Sequence, residues 1–97
     1  MIYHVTTSIA WNEALSKGFY EADSLATEGF IHMSHKEQVA GVLDRYYKNA
    51  TGLVLLHIDE SLLTASLKYE LSPSINEEFP HLFGPLNCDA VVSVEAI

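Results

Sequence analysis

Two short segments of the chain carry a histidine and a hydroxyl residue in the same arrangement. Their sequences are YHVT at residues 3–6 and IHMS at residues 31–34, and a segment with helical periodicity follows each. Side chains two residues apart share one face of a β-strand, so in each segment the imidazole and the hydroxyl would lie side by side. The two pairs are His4 with Thr6 and His32 with Ser34.

This repeated pattern predicts a pocket around His4 and His32 that binds a small polar ligand. The helix expected after Ser34 would add unpaired backbone N–H groups and the positive end of its dipole, which favour an anion such as a phosphate. The alternative is that each histidine is an ordinary strand residue and that each hydroxyl only caps the following helix. The residues alone leave both interpretations open.

Three other residues could contribute chemistry, and each has a simpler structural explanation. His81 lies in FPHLFGPL at residues 79–86, a predicted stiff loop, so it would contact a ligand or hold the loop in shape. Glu70 would supply a carboxylate, but Lys68 shares its strand face and favours a solvated ion pair. His57 lies inside an apolar run and is expected to be a core histidine.

Other catalytic and metal-binding patterns are absent from the sequence. Cys88 has no local nucleophile signature, and the chain has neither a Gly-x-Ser-x-Gly turn nor a Gly-rich phosphate loop. His32 and His35 do not have the spacing of zinc ligands. A metal site formed by His4, His32 and His81 is the remaining alternative, but the sequence favours no metal ion.

Composition places the chain among small globular proteins. Its 97 residues suit one domain over residues 1–97, with 48% apolar and 19% charged residues. The net charge of −8 disfavours nucleic acid polymers and anionic membranes as partners, and no apolar run reaches the roughly 20 residues that span a bilayer. Because the N-terminus has no signal-peptide pattern and Cys88 has no partner for a disulfide, we expect a cytoplasmic protein. The oligomeric state is not indicated.

Two helices are predicted from apolar periodicity. The first runs from Ser8 to Lys17 and ends at Gly18. The second follows a capping box formed by Ser34 and Glu37. Its apolar stripe consists of Val39, Val42, Leu43 and Tyr46, and its polar face includes Arg45.

Predicted strands fill most of the remaining chain. They lie at residues 3–6, 19–22, 30–33, 53–58, 67–71 and 90–94. The run LVLLHI at residues 53–58 is apolar on both faces, as expected for the central strand. Residues 23–29 have a turn-rich composition, and residues 72–89 are long for a connection, which indicates a binding loop, a lid or an unrecognised element. The result is an α+β fold in which about five or six strands are flanked by two main helices.

The motifs resemble those of a known family. The segments YHVT, EGFIHMS, LVLLHID, KYE and EFPHLFGPL occur in the order found in a small, largely bacterial family called domain of unknown function 952. The resemblance covers nearly the whole chain. Members of this family have been grouped with the ADP-ribosyltransferase fold, which implies a small split, mixed β-sheet flanked by helices.

The resemblance to NAD-using members of that fold implies roles for individual residues. His4 would hydrogen-bond a ribose hydroxyl, Glu70 would stabilise positive charge on the ribose as nicotinamide leaves, and Tyr69 would stack on a ring. The strand at His32 is similar to the second histidine-bearing strand of the RNA 2′-phosphotransferases. The candidate catalytic residues are therefore His4, His32 and Glu70, and the candidate NAD-binding residues are His4, Thr6, Ser34, Tyr69 and His81.

Two departures separate the chain from these enzymes. RNA 2′-phosphotransferases use several arginines, whereas Arg45 is the only arginine here, so phosphate transfer from RNA is not expected. Val5 stands where NAD-binding relatives commonly have glycine, and its side chain would restrict the approach of a ligand to the strand. Three hypotheses follow: an enzyme acting on NAD or an ADP-ribose-like nucleotide, a non-catalytic small-ligand-binding module, and a protein-interaction domain with an acidic surface.

Overall fold

The computed structural model describes all 97 residues and contains eight β-strands and three α-helices. The strands are β1 (Ile2–Thr7), β2 (Phe19–Tyr20), β3 (Ile31–His32), β4 (Leu53–Ile58), β5 (Ser66–Ser72), β6 (Glu77–Phe83), β7 (Leu86–Asn87) and β8 (Val91–Ala96). The helices are α1 (Ser8–Lys17), α2 (Asp23–Glu28) and α3 (Val39–Tyr46), and short 3-10 segments lie at Lys36–Gln38, Glu60–Leu62 and Cys88–Ala90. None of the helices has the length and apolar character needed to cross a membrane.

The strands form three antiparallel sheets. β4 lies between β1 and β8 in the first sheet, β6 lies between β3 and β5 in the second, and β2 pairs with β7 in the third. Two backbone hydrogen bonds between Tyr3 and Ser34, with N–O distances of 2.8 and 2.7 Å, connect β1 to the chain just after β3. The predicted α+β class is confirmed. The strands are more numerous than predicted, and the expected mixed pairing is wrong because every pair is antiparallel.

The central strand β4 is apolar on both faces because both faces are covered. One face contributes to the main core, which contains Ile2, Trp11, Ala14, Tyr20, Ile31, Met33, Val54, Leu56, Ile58, Leu82, Leu86 and Ala90. The other face belongs to a smaller cluster formed by Val5, Leu53 and Leu55 and covered by Tyr3, Val39, Val42, Leu43 and Tyr47. The sheet of β1, β4 and β8 therefore separates α1 from α3, as the prediction of a central strand requires.

Helix α1 has the predicted bounds because both of its ends are capped by side chain or backbone geometry. The Thr7 hydroxyl accepts a hydrogen bond from the Ala10 N–H at 3.1 Å. At the other end Gly18 adopts a φ of +89° and donates its N–H to the Ala14 carbonyl at 2.8 Å. Glycine suits this position because it adopts positive φ without the steric cost of a Cβ.

Two of the predicted connections are regular elements. Residues 23–29 contain the short helix α2, which ends at Gly29, and not a turn-rich connection. Residues 72–89 contain β6 and β7, so the long segment is an unrecognised hairpin strand and not a loop. β6 was not predicted because Pro80 lies within it, and proline is uncommon inside a strand. Pro80 lacks an N–H but keeps its carbonyl, which accepts a hydrogen bond from the Met33 N–H at 3.0 Å.

The predicted start and apolar stripe of the second helix are both shifted. Ser34 does not cap it, because the backbone of Ser34 pairs with Tyr3. The capping contact lies one residue later, where the Gln38 side chain accepts from the His35 N–H at 2.9 Å. Tyr46 is 72% exposed and lies outside the apolar stripe, and the following Tyr47 packs against the smaller cluster instead.

Two polar residues have different partners from those predicted. His57 is not a core histidine: its Nε2 lies 3.0 Å from a carboxylate oxygen of Glu95 at the sheet surface. The predicted ion pair between Lys68 and Glu70 does not form. Lys68 lies over the ring of Phe83, with its Nζ 5.2 Å from the ring centre, and Glu70 pairs with His81.

Leu56 offers a direct test of the two-sided packing of β4. It is fully buried in the main core. We expect Leu56→Ala to lower the free energy of unfolding by about 3 kcal/mol, because the substitution removes buried methyl groups and leaves a cavity. Ile9→Ala, at a position that is 72% exposed, should change it by less than about 0.5 kcal/mol. Urea denaturation followed by tryptophan fluorescence measures both values, and equal losses would contradict the assigned core.

Candidate functional site

A cavity with a volume of about 700 Å³ lies where β1, β3, α3 and the β5–β6 hairpin meet. This size falls within the usual range for small-molecule sites. Its lining residues are His4, Val5, Glu28, Phe30, His32, Met33, Ser34, Val42, Arg45, Tyr46, Tyr47, Leu71, Ser72, Pro73, Ile75, Phe79 and His81. The cavity therefore combines aromatic and aliphatic walls with a few polar groups.

The structure brings together four of the residues that the sequence singled out. His4, His32, Ser34 and His81 all line the cavity. The pairing of β3 with β6 places His32 opposite His81, and their rings are 5.5 Å apart in an edge-to-face arrangement. The three histidines do not form a metal site, because no group of three metal-ligating side chains converges in the structure.

Three other predicted site residues lie outside the cavity lining. Thr6 is buried behind His4, and Glu70 lies behind His81. Tyr69 stacks on His35 with nearly parallel rings 5.6 Å apart, and its hydroxyl donates to Glu60. The position of Tyr69 therefore does not suit the stacking on a cavity ligand that the family resemblance implies.

His4 uses both of its ring nitrogens within the protein. Its Nδ1 lies 2.6 Å from the backbone carbonyl oxygen of His32, and its Nε2 lies 2.9 Å from the hydroxyl of Tyr20. A carbonyl oxygen can only accept, so Nδ1 carries the proton and the neutral ring presents a lone pair at Nε2. The Tyr20 hydroxyl then donates to Nε2, and its oxygen lies 3.0 Å from the Thr6 hydroxyl oxygen.

The environment of His4 keeps its imidazole neutral. Burial lowers the pKa of His4 from 6.5 to about 4, although the hydrogen bond to the His32 carbonyl acts in the opposite direction. Burial likewise raises the pKa of Tyr20, and the hydrogen bond with Thr6 partly offsets this change. At neutral pH the chain from Thr6 through Tyr20 to His4 is therefore an uncharged and fully paired network.

The other two cavity histidines are each paired with a glutamate. A carboxylate oxygen of Glu70 lies 2.8 Å from His81 Nδ1, and one of Glu28 lies 3.0 Å from His32 Nε2. His81 is the more enclosed, with 12% of its side chain exposed against 54% for His32. The ring of Phe30 stacks on His81 at 4.0 Å and fixes its plane.

Arg45 is the feature of the site that the sequence did not indicate. It is the only lysine or arginine among the lining residues, and it forms no ion pair. Its guanidinium lies close to Gly41, where a Cβ would come within 3.1 Å of a guanidinium nitrogen. The spacing of Gly41 and Arg45 at i and i+4 was the available signal, because these positions are neighbours on one helix face.

One side chain connects the helix wall of the cavity to the hairpin wall. Gln38, at the start of the α3 region, donates its amide to the Glu78 carbonyl at 2.9 Å. Its amide nitrogen also lies 3.3 Å from a carboxylate oxygen of Glu77. The same side chain accepts from the His35 N–H, so Gln38 fixes the position of α3 relative to β6.

The fold and the cavity define an α+β protein with a histidine-lined pocket between a sheet, a helix and a hairpin. The chain belongs to the family described as "Protein of unknown function (DUF952)", whose model matches residues 5–94. This result confirms the family resemblance stated from the motifs. No protein with a curated description matches the chain.

Solved structures of a Caulobacter crescentus protein have the same fold. The crystal structure of protein CC0527 is 31% identical in sequence and has a TM-score of 0.87, covering 96% of this chain and 82% of that chain. The solution NMR structure of CC0527 has a TM-score of 0.84 at 30% identity, covering 99% of this chain and 83% of that chain. The likeness to CC0527 therefore extends from the sequence to the three-dimensional arrangement.

The buried neutral state of His4 predicts a pH dependence of stability. The pKa of His4 is about 4 in the folded protein and near 6.5 in the unfolded chain, so the unfolded chain binds more protons between these values. Above pH 6.5 the neutral state of His4 contributes its full share, roughly 3 kcal/mol, to the free energy of unfolding. This contribution is lost as the pH falls toward 4. Urea denaturation at several pH values measures this change.

Two variants isolate the contribution of His4 to that pH dependence. His4→Gln should be less stable at pH 7 but should lack the His4 part of the loss between pH 6.5 and pH 4. His57→Gln, at the sheet surface, should retain it because His4 is intact. A His4→Gln variant with the full wild-type pH dependence would show that His4 is not the buried neutral group.

Proposed function

We propose that the chain binds NAD or a related ADP-ribose-like nucleotide in the histidine-lined cavity. The observation that carries this proposal is Arg45, a cation without an ion-pair partner at the wall of a cavity in a protein of net charge −8. A guanidinium donates two parallel hydrogen bonds to a phosphate and stays charged at all physiological pH values. Arg45 therefore suits the pyrophosphate of such a nucleotide.

Aromatic side chains of the cavity suit the rings of the nucleotide. Phe30, Tyr46, Tyr47 and Phe79 line it. Planar bases stack on such rings with a gain of about 1–3 kcal/mol each in nucleic-acid-binding proteins. Tyr46 is 72% exposed, and the Arg45 guanidinium lies over its ring, 5.7 Å from the ring centre, so a cation and an aromatic ring are adjacent at this wall. The cavity thus offers an anion site and stacking surfaces within one volume.

The finer proposal is that the fold is of the ADP-ribosyltransferase type, as the family resemblance implies. In that case His4 and His32 are the two strand histidines of the nucleotide site. The geometry supports a positioning function for His4, because both of its nitrogens are used by His32 and Tyr20. His32, Ser34 and His81 line the cavity and would contact the ligand directly.

Binding without turnover is the second candidate function. It is favoured by the placement of two of the three candidate catalytic residues, His4 and Glu70. His4 has no free nitrogen, and the Glu70 carboxylate lies behind His81 and does not line the cavity. Neither group is therefore free to act on the ribose of a bound NAD in this arrangement. An assay for nicotinamide release separates the candidates, because a binding module would release none.

Arg45→Gln tests the anion site. We expect the wild type to show a thermal shift with ADP-ribose and with NAD, because a ligand that binds the folded state stabilises it. In Arg45→Gln the affinity for ADP-ribose should fall about 10- to 100-fold, since a charge-assisted hydrogen bond contributes about 1.5–3 kcal/mol. Calorimetric titration measures the affinities of both proteins.

A matched control separates a local effect from the change in net charge. Lys17→Gln removes the same charge from α1, at an exposed position outside the cavity. This variant should bind ADP-ribose as the wild type does. Adenosine, which lacks the phosphates, should bind wild type and Arg45→Gln with equal affinity. If the wild type binds neither NAD nor ADP-ribose, the proposed function is wrong, and if both variants weaken binding equally, Arg45 is not the anion site.

A further inference from the structure

The carboxylate of Glu70 and the imidazole of His81 form a pair that the family resemblance does not account for. Glu70 lies on β5 and His81 on β6, and the Glu70 carboxylate is 2.8 Å from His81 Nδ1. An ionised carboxylate can only accept a hydrogen bond, so the contact requires a proton on Nδ1. In the neutral imidazole this leaves Nε2 without a proton. His81 Nε2 has no hydrogen-bond partner within the protein.

We infer that Glu70 holds His81 in the tautomer that is protonated at Nδ1, so that Nε2 accepts a hydrogen bond from a hydroxyl of the terminal ribose of the bound nucleotide. This inference rests on the proposed function and names one contact within it. Glu70 is then a positioning residue that acts through His81, and it does not touch the ligand. The chemical class that the contact selects is a hydroxyl donor beside a phosphate.

The surroundings of His81 favour this assignment over one to His32. The Phe30 ring stacks on His81 at 4.0 Å with an interplanar angle of 17°, and only 12% of the His81 side chain is exposed. The plane and the tautomer are therefore both fixed before a ligand binds, which lowers the entropic cost of the contact. His32 has a comparable partner in Glu28, but its side chain is 54% exposed and has no stacking partner of this kind.

The surface of the chain offers a matched control for the pair. His57 and Glu95 make the same type of contact at 3.0 Å, on β4 and β8 and outside the cavity lining. Removal of Glu95 therefore changes the charge and the histidine partner in the same way as removal of Glu70. Only the removal of Glu70 changes a histidine that lines the cavity.

Nitrogen-15 chemical shifts of the histidine rings test the tautomer without any ligand. At about pH 8.5, where an ordinary imidazole is neutral, we expect His81 to show a protonated Nδ1 and an unprotonated Nε2. In Glu70→Ala the two tautomers should become mixed at His81, because the acceptor that fixes the proton is gone. Glu95→Ala should leave the His81 signals unchanged. A wild-type His81 protonated at Nε2 would overturn the inference.

Calorimetric titration with ADP-ribose and with ADP tests the ligand contact. ADP lacks the terminal ribose, so it serves as the reference for binding that does not involve His81. Glu70→Ala should weaken the binding of ADP-ribose roughly fivefold to tenfold, as expected for one hydrogen bond, and leave that of ADP unchanged. His81→Phe, which keeps the stacking but has no acceptor, should show the same pattern, whereas Glu95→Ala should bind both ligands as the wild type does.

The outcomes distinguish this inference from the proposed function. Suppose that the wild type binds both ligands. If Glu70→Ala then weakens the binding of both equally, or changes the binding of neither, the contact with the terminal ribose is wrong while the nucleotide site stands. If the wild type binds neither ligand, the proposed function fails and the ribose contact is overturned with it. The nitrogen-15 shifts report separately on whether Glu70 sets the tautomer of His81.

Discussion

The arrangement of the site depends on the two hydrogen bonds of the His4 imidazole. It lies on β1, accepts from Tyr20 of β2 and donates to the carbonyl of His32 of β3, and these three strands belong to three different sheets. A single buried side chain therefore joins all the sheets of the protein at one point. Because each nitrogen has a partner, burial of this polar group carries no unpaired donor or acceptor, and no buried side-chain polar atom elsewhere is unpaired. The neutrality of His4 is a condition of this arrangement, since a second proton on the ring would leave Tyr20 facing a donor.

The cavity histidines differ in how many of their ring nitrogens have partners within the protein. His4 is buried and uses both ring nitrogens, whereas His81 lines the cavity and keeps one nitrogen free of protein partners. The glutamates that accompany His32 and His81 orient these rings but also add negative charge near the cavity. Arg45 is the only lysine or arginine at the wall of this cavity, in a protein of net charge −8. Gly41 leaves the space that the guanidinium occupies, although a glycine lowers the stability of a helix when it lies in the interior.

Local signals predicted those parts of the fold that local interactions determine. Helix α1 was predicted with its observed bounds because Thr7 and Gly18 cap it, and β4 was predicted as central because its apolar run must be covered on both faces. The hairpin strand β6 was missed because Pro80 is typical of a loop, and only its pairing with β5 and β3 makes it a strand.

The candidate site was predictable to a similar degree. The repeated strand pattern identified His4, His32 and Ser34, which share one cavity. The place of Arg45 at the cavity and the pairing of Glu70 with His81 were not predicted, because they depend on how α3 packs and on the register between β5 and β6. A shift of that register by one residue would place Glu70 on the opposite face from His81.

The register of β1 has a consequence for how the chain reaches its folded state. β1 begins the chain, yet its pairing partner is β4, with Ile2 opposite Ile58. β3 in turn pairs with β6, with Ile31 opposite Leu82. The cavity is therefore closed by contacts between residues about fifty positions apart, and such contacts require large loops to close first. During synthesis the histidines of β1 and β3 leave the ribosome before β6, so the site is completed only after β6 has been synthesised. A fragment that ends before β6 therefore lacks one wall of the cavity.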